Sequence, residues 1–378
     1  MDEEVSMKTF YRKELLLAPG PTPLHPEVLK AMISPMISHR TQSFQDLYKE
    51  IEEYLKELMH TKNQILLIPS SGTGGLQAAV KGCLSMGEKI VVASNGHFAD
   101  LFSRLAASNG MNVVDVPFPW GQPVDPFVIA ASVKEHKDAK ALLLIQNETS
   151  TGVLSDIKTI VTEIRKVNKE ILIFVDAVSS LGGTEFRLDE WGVDVVVSSS
   201  QKALMAPPGL CIMSLSDRAW AAAETVTCLD YYFDIKRIRK EANRHMTLTT
   251  PAVSIFFALR KSLEIIFNEG MKNCFGHNKA LQEMIFELSQ STGVTPLGRL
   301  PYASPTVTAL VVPEACDPEM IRNELYKKYS IVSGPGLGKI ASKTFRIGHM
   351  GYVDRNDIQM FFNSLTEIIS GPRARRPK

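Results

Sequence analysis

Short runs of consecutive apolar residues recur along the first two thirds of the chain, and longer segments with a helical period separate them. The apolar runs, each about five residues long, occupy residues 65–69, 89–93, 111–116, 141–145, 171–176 and 193–197. Runs without a polar alternation are typical of strands buried on both faces of a parallel sheet. Segments such as 75–84 and 156–167 have the period of amphipathic helices. The alternation predicts a doubly wound α/β unit.

After Pro251 the pattern changes to long helical segments with few strands. Helices are predicted at residues 253–268, 272–290, 318–328 and 355–369, and strands at residues 306–312 and 344–348. This part is predicted to form a smaller α+β unit. Prolines at positions 19, 21, 23 and 26 favour an extended segment over the first part of the chain, up to about residue 60. We therefore predict an N-terminal arm at 1–20, a large domain at 21–255 and a small domain at 256–378.

Composition narrows the classes of function. A formal net charge of +1 provides no field that would recruit nucleic acid or an anionic membrane. The five cysteines contain no C-x-x-C pair, which argues against a disulfide framework and against a zinc site. The N-terminus is acidic and no apolar run is long enough to cross a membrane. We expect a soluble, cytoplasmic protein without a metal centre.

Two polar segments directly follow predicted strands, where ligands bind in open parallel sheets. Residues 70–75, Ser-Ser-Gly-Thr-Gly-Gly, combine hydroxyls and glycines at the start of a helix, which suits a bound phosphate and equally a plain tight turn. Gln77 stands where a dinucleotide-binding fingerprint needs its third glycine. Asp176 ends another buried strand, where a carboxylate needs a partner. That partner is either the N-terminus of the next helix or the protonated nitrogen of a pyridine ring.

A lysine and an arginine complete the candidate chemistry. Lys202 follows the strand at 193–197 among small hydroxyl residues, where desolvation would make its amine nucleophilic; a lysine that reaches solvent beside a turn is the alternative. Arg346 lies within an apolar strand of the small unit and offers a planar fork for a carboxylate, unless it forms a structural salt bridge. A phosphate-type loop, an acid, a lysine and a late arginine, in this order, indicate a pyridoxal-phosphate (PLP) site.

The chain resembles the class V aminotransferases of PLP fold type I, and among them the alanine–glyoxylate and serine–pyruvate aminotransferases. The segments that carry the resemblance are residues 17–23, 71–74, 148–153, 175–183, 200–204, 206–209 and 345–348, which read LAPGPTP, SGTG, ETSTGV, VDAVSSLGG, SQKAL, APPG and FRIG. The resemblance implies an α/β large domain with a mainly parallel seven-stranded sheet, and a smaller C-terminal α+β domain.

The resemblance also implies roles for individual residues. Lys202 would carry PLP as a Schiff base and act as general base, and Asp176 would pair with the ring nitrogen. Val178 and Phe98 would pack on opposite faces of the ring, and Thr149 would bind its phenolic oxygen. The phosphate would be held by Ser71, Gly72, Thr73 and Gln201, together with Thr249 or Thr250 of a partner subunit. The α-carboxylate of the substrate would be bound by Arg346 beside Gly20.

Three positions depart from the family pattern. Phe98 stands where several relatives have tryptophan, which preserves stacking. Met246 stands where some relatives have a tyrosine that reaches across the dimer, so that contact is in doubt. His39 stands where the ureidoglycine-using branch has glutamine, which counts against that branch.

The resemblance implies a homodimer with a shared active site and ping-pong transamination between a small amino acid (alanine or serine) and a 2-oxo acid (glyoxylate or pyruvate). An aspartate-using enzyme stays open, with Arg40 as a further cation. A PLP lyase or a desulfurase of the same fold is a further alternative; a desulfurase would need a reactive cysteine, for which Cys316 is the candidate. A binding or scaffold protein of the same fold would not need Lys202 and Asp176.

Overall fold

The structure is a computed structural model, and it describes residues 14–371. The helices and strands of this part, in chain order, are β1 (Leu15–Leu17), α1 (Pro26–Met32), α2 (Gln42–Leu58), β2 (Ile65–Pro69), α3 (Gly72–Cys83), β3 (Lys89–Ser94), α4 (His97–Ser108), β4 (Asn112–Pro117), α5 (Pro126–Glu135), β5 (Ala141–Ile145), β6 (Asn147–Glu148), β7 (Val153–Leu154), α6 (Ile157–Val167), β8 (Leu172–Asp176), α7 (Leu188–Trp191), β9 (Val195–Ser199), β10 (Leu210–Leu215), α8 (Asp217–Thr225), α9 (Ile235–Ala242), α10 (Val253–Glu269), α11 (Met271–Thr292), β11 (Thr295–Pro296), β12 (Val307–Val311), α12 (Pro318–Tyr329), β13 (Ile331–Pro335), β14 (Thr344–Gly348) and α13 (Arg355–Ser370).

Seven strands form the large sheet, in the order β2-β10-β9-β8-β5-β3-β4. Neighbouring strands are parallel except at β10, which is antiparallel to both β2 and β9. Strands β5, β8, β9 and β10 are buried along their whole length, because helices cover both faces of the sheet. The predicted mainly parallel, seven-stranded α/β sheet is confirmed.

The carboxyl ends of the parallel strands lie along one edge of this sheet. Asp176 at the end of β8 is in register with Ile145 of β5 and Val197 of β9. The loops that follow β2, β3, β8 and β9 therefore emerge side by side, and they bring together chemistry that is far apart in the sequence.

A second sheet has the strand order β1-β13-β14-β12-β11 and its own hydrophobic core. Helices α11, α12 and α13 contribute Leu281, Ile321 and Phe361 to that core, and β14 contributes Phe345 and Ile347. Strand β1 pairs in parallel with β13, so the start of the described chain is anchored in the C-terminal sheet. The predicted smaller α+β unit is thus present.

One expectation about the N-terminal region is wrong. Residues 42–58 form the helix α2 instead of an extended segment, and its buried face includes Phe44, Tyr48 and Ile51. The prolines that suggested an extended chain end at residue 26, so they do not constrain this helix. Helix α10 packs on the core of the large sheet through residues such as Phe256. The placement of the domain boundaries stays a prediction.

No helix within residues 14–371 is both long enough and apolar enough to cross a membrane.

Candidate active site

Lys202 lies in the turn after β9, beneath the segment that follows β1. The amine of Lys202 donates a hydrogen bond to the carbonyl oxygen of Pro19. The hydroxyl of Thr22 donates to the carbonyl of Lys202 at 3.0 Å, and its amide donates to the carbonyl of Gln201 at 3.1 Å. Gly20 has φ +125°, and a Cβ there would lie 2.7 Å from Cε of Lys202. Only glycine fits between this segment and the lysine.

Burial and neighbouring charges shift the pKa values of Lys202 and Asp176 in opposite directions. Burial, together with the positive charge of Arg346, lowers the pKa of Lys202 to about 8, against the attraction of Asp176. Burial also raises the pKa of Asp176 to about 7, an effect to which the charge of Glu148 adds. The amide of Val178 opposes this by donating to the Asp176 carboxylate at 2.8 Å. The lysine therefore loses its proton near pH 8, well below the pH at which an exposed lysine does so.

Arg346 presents a buried guanidinium without a carboxylate partner. Its Nε donates to the carbonyl of Pro335 at 2.8 Å, and one terminal nitrogen donates to the carbonyl of Thr149 at 3.3 Å. Within residues 14–371 it forms no ion pair, so the structural salt bridge considered from the sequence is not found there. Burial lowers the pKa of Arg346 to about 10, which leaves it charged near neutral pH. A buried unpaired cation of this kind is suited to an external carboxylate.

The loop between β2 and α3 has the features of an anion site. The Ser71 hydroxyl caps α3 by accepting from the amide of Gly74 at 3.2 Å, and Gly72 and Thr73 form its first turn. A Cβ at Gly72 would lie 2.7 Å from Cγ2 of Val178, so the loop packs directly against that side chain. Ser199 Oγ, which lies beside Gly72, and Gln201 Oε1 are buried without a hydrogen-bond partner in the part of the chain described. Buried polar atoms of this kind are normally satisfied, which suits a polar ligand here.

Two more of the predicted site residues belong to this edge. Phe98 is the second residue of α4, and its amide donates to the carboxylate of Glu148 at 3.3 Å. The hydroxyl of Thr149 donates to the Ser179 hydroxyl at 2.7 Å, one residue beyond Val178. The structure thus places Phe98 in the first turn of α4, and Thr149 in a loop that contacts both Ser179 and Arg346.

Comparison with known proteins decides the family. The family model described as aminotransferase class-V matches residues 15–361 of this chain. The chain belongs to the class V aminotransferases. Enzymes of this family depend on PLP, so this protein is a PLP-dependent aminotransferase with the fold of its relatives.

Three similar proteins carry different names. A protein of Synechococcus sp. named the small subunit of a soluble hydrogenase is 36% identical, over 95% of this chain and 93% of its own length. An L-aspartate–glyoxylate aminotransferase of Paracoccus denitrificans is 36% identical, over 89% of this chain and 86% of its own. The crystal structure of an alanine–glyoxylate aminotransferase from Nostoc sp. has a TM-score of 0.91 and 28% identity, and covers 95% of this chain and 96% of its own.

Some residues singled out from the class V pattern form a separate group. Thr250 Oγ1 lies 3.4 Å from the His39 ring, and Arg40 contacts the carbonyl of Thr247 at 3.2 Å and the sulfur of Met246 at 3.8 Å. The backbone carbonyl of Thr249 accepts from the Thr247 hydroxyl at 2.8 Å. The phosphate-binding role predicted for Thr249 or Thr250 depends on a second subunit, and the roles of this group stay predictions.

Sequence reasoning gave no role to three residues that the structure places at this aminotransferase site. Thr22 binds the backbone of the lysine turn, as described above. Glu148 is a fully buried carboxylate, and Gly96 lies directly against it. Thr22 and Glu148 lie in segments that carry the family resemblance, and Gly96 follows a predicted strand, but none of these signals indicates these contacts.

Proposed function

We propose that the protein transfers an amino group between a small amino acid (alanine or serine) and a 2-oxo acid (glyoxylate or pyruvate) by a ping-pong mechanism. Two neighbouring cations carry this proposal. One is the Lys202 amine at the carboxyl edge of the large sheet, and the other is the buried guanidinium of Arg346 on β14, which forms no ion pair within residues 14–371. The first suits a covalent bond to a carbonyl carbon, and the second suits an amino-acid carboxylate.

The residues at this edge fit PLP. Lys202 would bond the cofactor, Asp176 would pair with its ring nitrogen, and Phe98 and Val178 would pack on its two faces. Thr149 would reach the phenolic oxygen. The phosphate would be held by Ser71, Gly72, Thr73 and Gln201, with Thr249 or Thr250 of a partner subunit. The Ser199 hydroxyl supports this fit, because it is buried beside Gly72 without a hydrogen-bond partner in the described residues and can donate to a phosphate oxygen. When bound, PLP acts as the electron sink for the carbanion formed at the substrate's α-carbon.

The protein's own groups bind the substrate and move its proton. Arg346 orients the substrate through its α-carboxylate, close to Gly20. Lys202, with a pKa lowered to about 8, accepts the α-proton as its neutral amine and returns it. Asp176 stays ionised once it faces a cation, and the burial that raises its pKa strengthens that ion pair.

Glyoxylate as acceptor is supported by the names of both aminotransferase relatives. For the donor, a second cation would be needed to bind a distal carboxylate. Arg40, the further cation considered from the sequence, lies 3.6 Å from the Glu241 carboxylate. This ion pair engages Arg40, which favours alanine or serine as donor. Aspartate is the alternative, because a relative is named for it.

A homodimer and a cytoplasmic location belong to the same proposal. Large apolar side chains are exposed on the single chain, at Leu29, Ile33, Met36, Leu229 and Tyr231, and such exposure is typical of an interface. Within residues 14–371, Cys83, Cys211, Cys228 and Cys274 form no disulfide, which suits a reducing compartment.

A half-reaction tests the proposal. The PLP-loaded protein is mixed with alanine, serine or aspartate without any oxo acid. We expect one equivalent of 2-oxo acid per cofactor from the true donor, and reversal of the absorbance change on adding glyoxylate. Continued product release without glyoxylate would indicate a lyase instead. A desulfurase is disfavoured because Cys316 is buried.

A further inference from the structure

Helix α4, which carries Phe98, receives no side-chain cap from its own N-cap residue. That residue is Gly96, which has no side chain to accept a hydrogen bond. Its first three amides are satisfied instead from a distant loop. The His97 amide donates to Ser150 Oγ at 2.9 Å, the Phe98 amide to Glu148 Oε1 at 3.3 Å, and the Ala99 amide to Glu148 Oε2 at 3.0 Å. The loop at 148–150 therefore fixes where this helix begins.

The hydrogen bonds to the Glu148 carboxylate favour its ionised form. Besides the two amides of α4, its carboxylate accepts from the amide of Ser150 at 2.9 Å and from the Ser150 hydroxyl at 2.6 Å. All four groups that contact the carboxylate are hydrogen-bond donors, so a proton on the carboxyl group would displace one of them. Burial raises the pKa of Glu148, and these hydrogen bonds oppose the rise. The positive end of the α4 dipole also favours the charge.

The same loop reaches the substrate side of the site. Thr149, between the two capping residues, gives its carbonyl to Arg346 and its hydroxyl to Ser179. A Cβ at Gly96 would lie 2.8 Å from Ser150 Oγ and would overlap the side chain of Glu148. The close approach of α4 to the loop thus needs a glycine at this position.

We propose that Glu148 is a positioning residue for transamination, which holds the Phe98 ring and the Thr149–Arg346 contact in one rigid arrangement. It contacts neither reactant. It acts through α4 on the cofactor face and through Thr149 on the guanidinium. This inference rests on the proposed function, in which Phe98 stacks on PLP and Arg346 binds the substrate carboxylate.

Glu148→Gln tests it with little change in volume. In either orientation of the amide, its NH₂ group faces an amide donor, either that of Ala99 or those of Phe98 and Ser150. We expect the dissociation constant for PLP and the KM for alanine each to rise roughly tenfold. Asp194→Asn is the matched control, because Asp194 is also buried and accepts from a backbone amide, that of Ile173, at the opposite edge of the same sheet. The control is expected to lower thermal stability without changing either constant.

Two further measurements separate positioning from a purely structural role. The circular dichroism that bound PLP acquires in the visible range is expected to change in Glu148→Gln and not in the control. In a Phe98→Ala background, Glu148→Gln is expected to weaken PLP binding much less than in the wild type, because the ring that it positions is gone. Ser150→Ala, a milder change at the same cap, is expected to act in the same direction.

The inference is overturned if Glu148→Gln, or Ser150→Ala should the former not fold, binds PLP and alanine as the wild type does. It is also overturned if the losses in the double variant simply add. The activity of the wild-type holoenzyme distinguishes a failure of this inference from a failure of the proposed function. A wild type that fails to transaminate refutes that function, whereas an active wild type with unaffected variants refutes only the role of Glu148.

Discussion

Gly72→Ala tests the packing between the phosphate loop and the cofactor face. A Cβ at this position would lie 2.7 Å from Cγ2 of Val178, whereas ordinary contact begins at 3.4 Å. One of the two groups must therefore move by several tenths of an ångström, and the β-branched Val178 has little rotamer freedom to do so. Such overpacking costs about 1–3 kcal/mol. We expect the displacement of Val178 towards the cofactor to weaken PLP binding by roughly 10- to 100-fold.

Gly276→Ala is the matched control, since Gly276 is also helical and a Cβ there would meet nothing within 4 Å. It is expected to raise stability by about 0.5–1 kcal/mol, because alanine favours a helix more than glycine does. The assays are thermal unfolding of the cofactor-free variants and a spectroscopic titration with PLP. A Gly72→Ala variant that binds PLP as tightly as Gly276→Ala would refute the reasoning.

Three further predictions concern the charged groups. Lys202→Ala is expected to abolish transamination while leaving the circular dichroism of the fold intact, and near-wild-type turnover of the variant would contradict its role. Loading of PLP onto the wild type is expected to accelerate as the pH rises through about 8, where the amine becomes neutral. Arg346→Gln is expected to raise the KM for alanine roughly 10- to 100-fold, by loss of charge-assisted hydrogen bonds, with PLP binding unchanged in a titration. Because burial raises the pKa of Asp176 from 3.8 to about 7, its ionisation costs stability increasingly between these values. Asp176→Asn is therefore expected to stabilise the cofactor-free protein more at about pH 8 than at about pH 5 in thermal unfolding, and to lose activity; an equal effect at both pH values would contradict the assignment.

Continuous apolar segments made much of the large sheet predictable. Strands β5 and β8 were located within one residue, because both of their faces are buried and each is a run of apolar residues. Strand β10 was missed, since it follows Pro207-Pro208-Gly209 and pairs antiparallel, outside the βαβ alternation. Helix α2 was missed because the nearby prolines dominated the interpretation of a segment rich in charged residues.

The sequence predicted the site residues whose role follows from their own chemistry. It did not predict the residues whose role depends on contacts with distant parts of the chain. Asp176 and Arg346 stand out as ionisable residues within apolar runs, and Lys202 stands out as a lysine among small hydroxyl residues just after such a run. The role of Glu148 depends on amides about 50 residues away in the chain, and its local sequence does not show such a contact. The roles predicted for Thr249 and Thr250 require a second subunit, so a single chain cannot display them.

The central claim is that Lys202 carries the cofactor. Reduction of the PLP-loaded protein with borohydride makes the lysine–cofactor bond permanent, and peptide mass spectrometry then locates it. The account predicts that the mass of the reduced cofactor lies on the peptide that contains Lys202, and that no lysine is modified when alanine is added before the reductant. Label on a different lysine, or no label on a fully loaded protein, would contradict it.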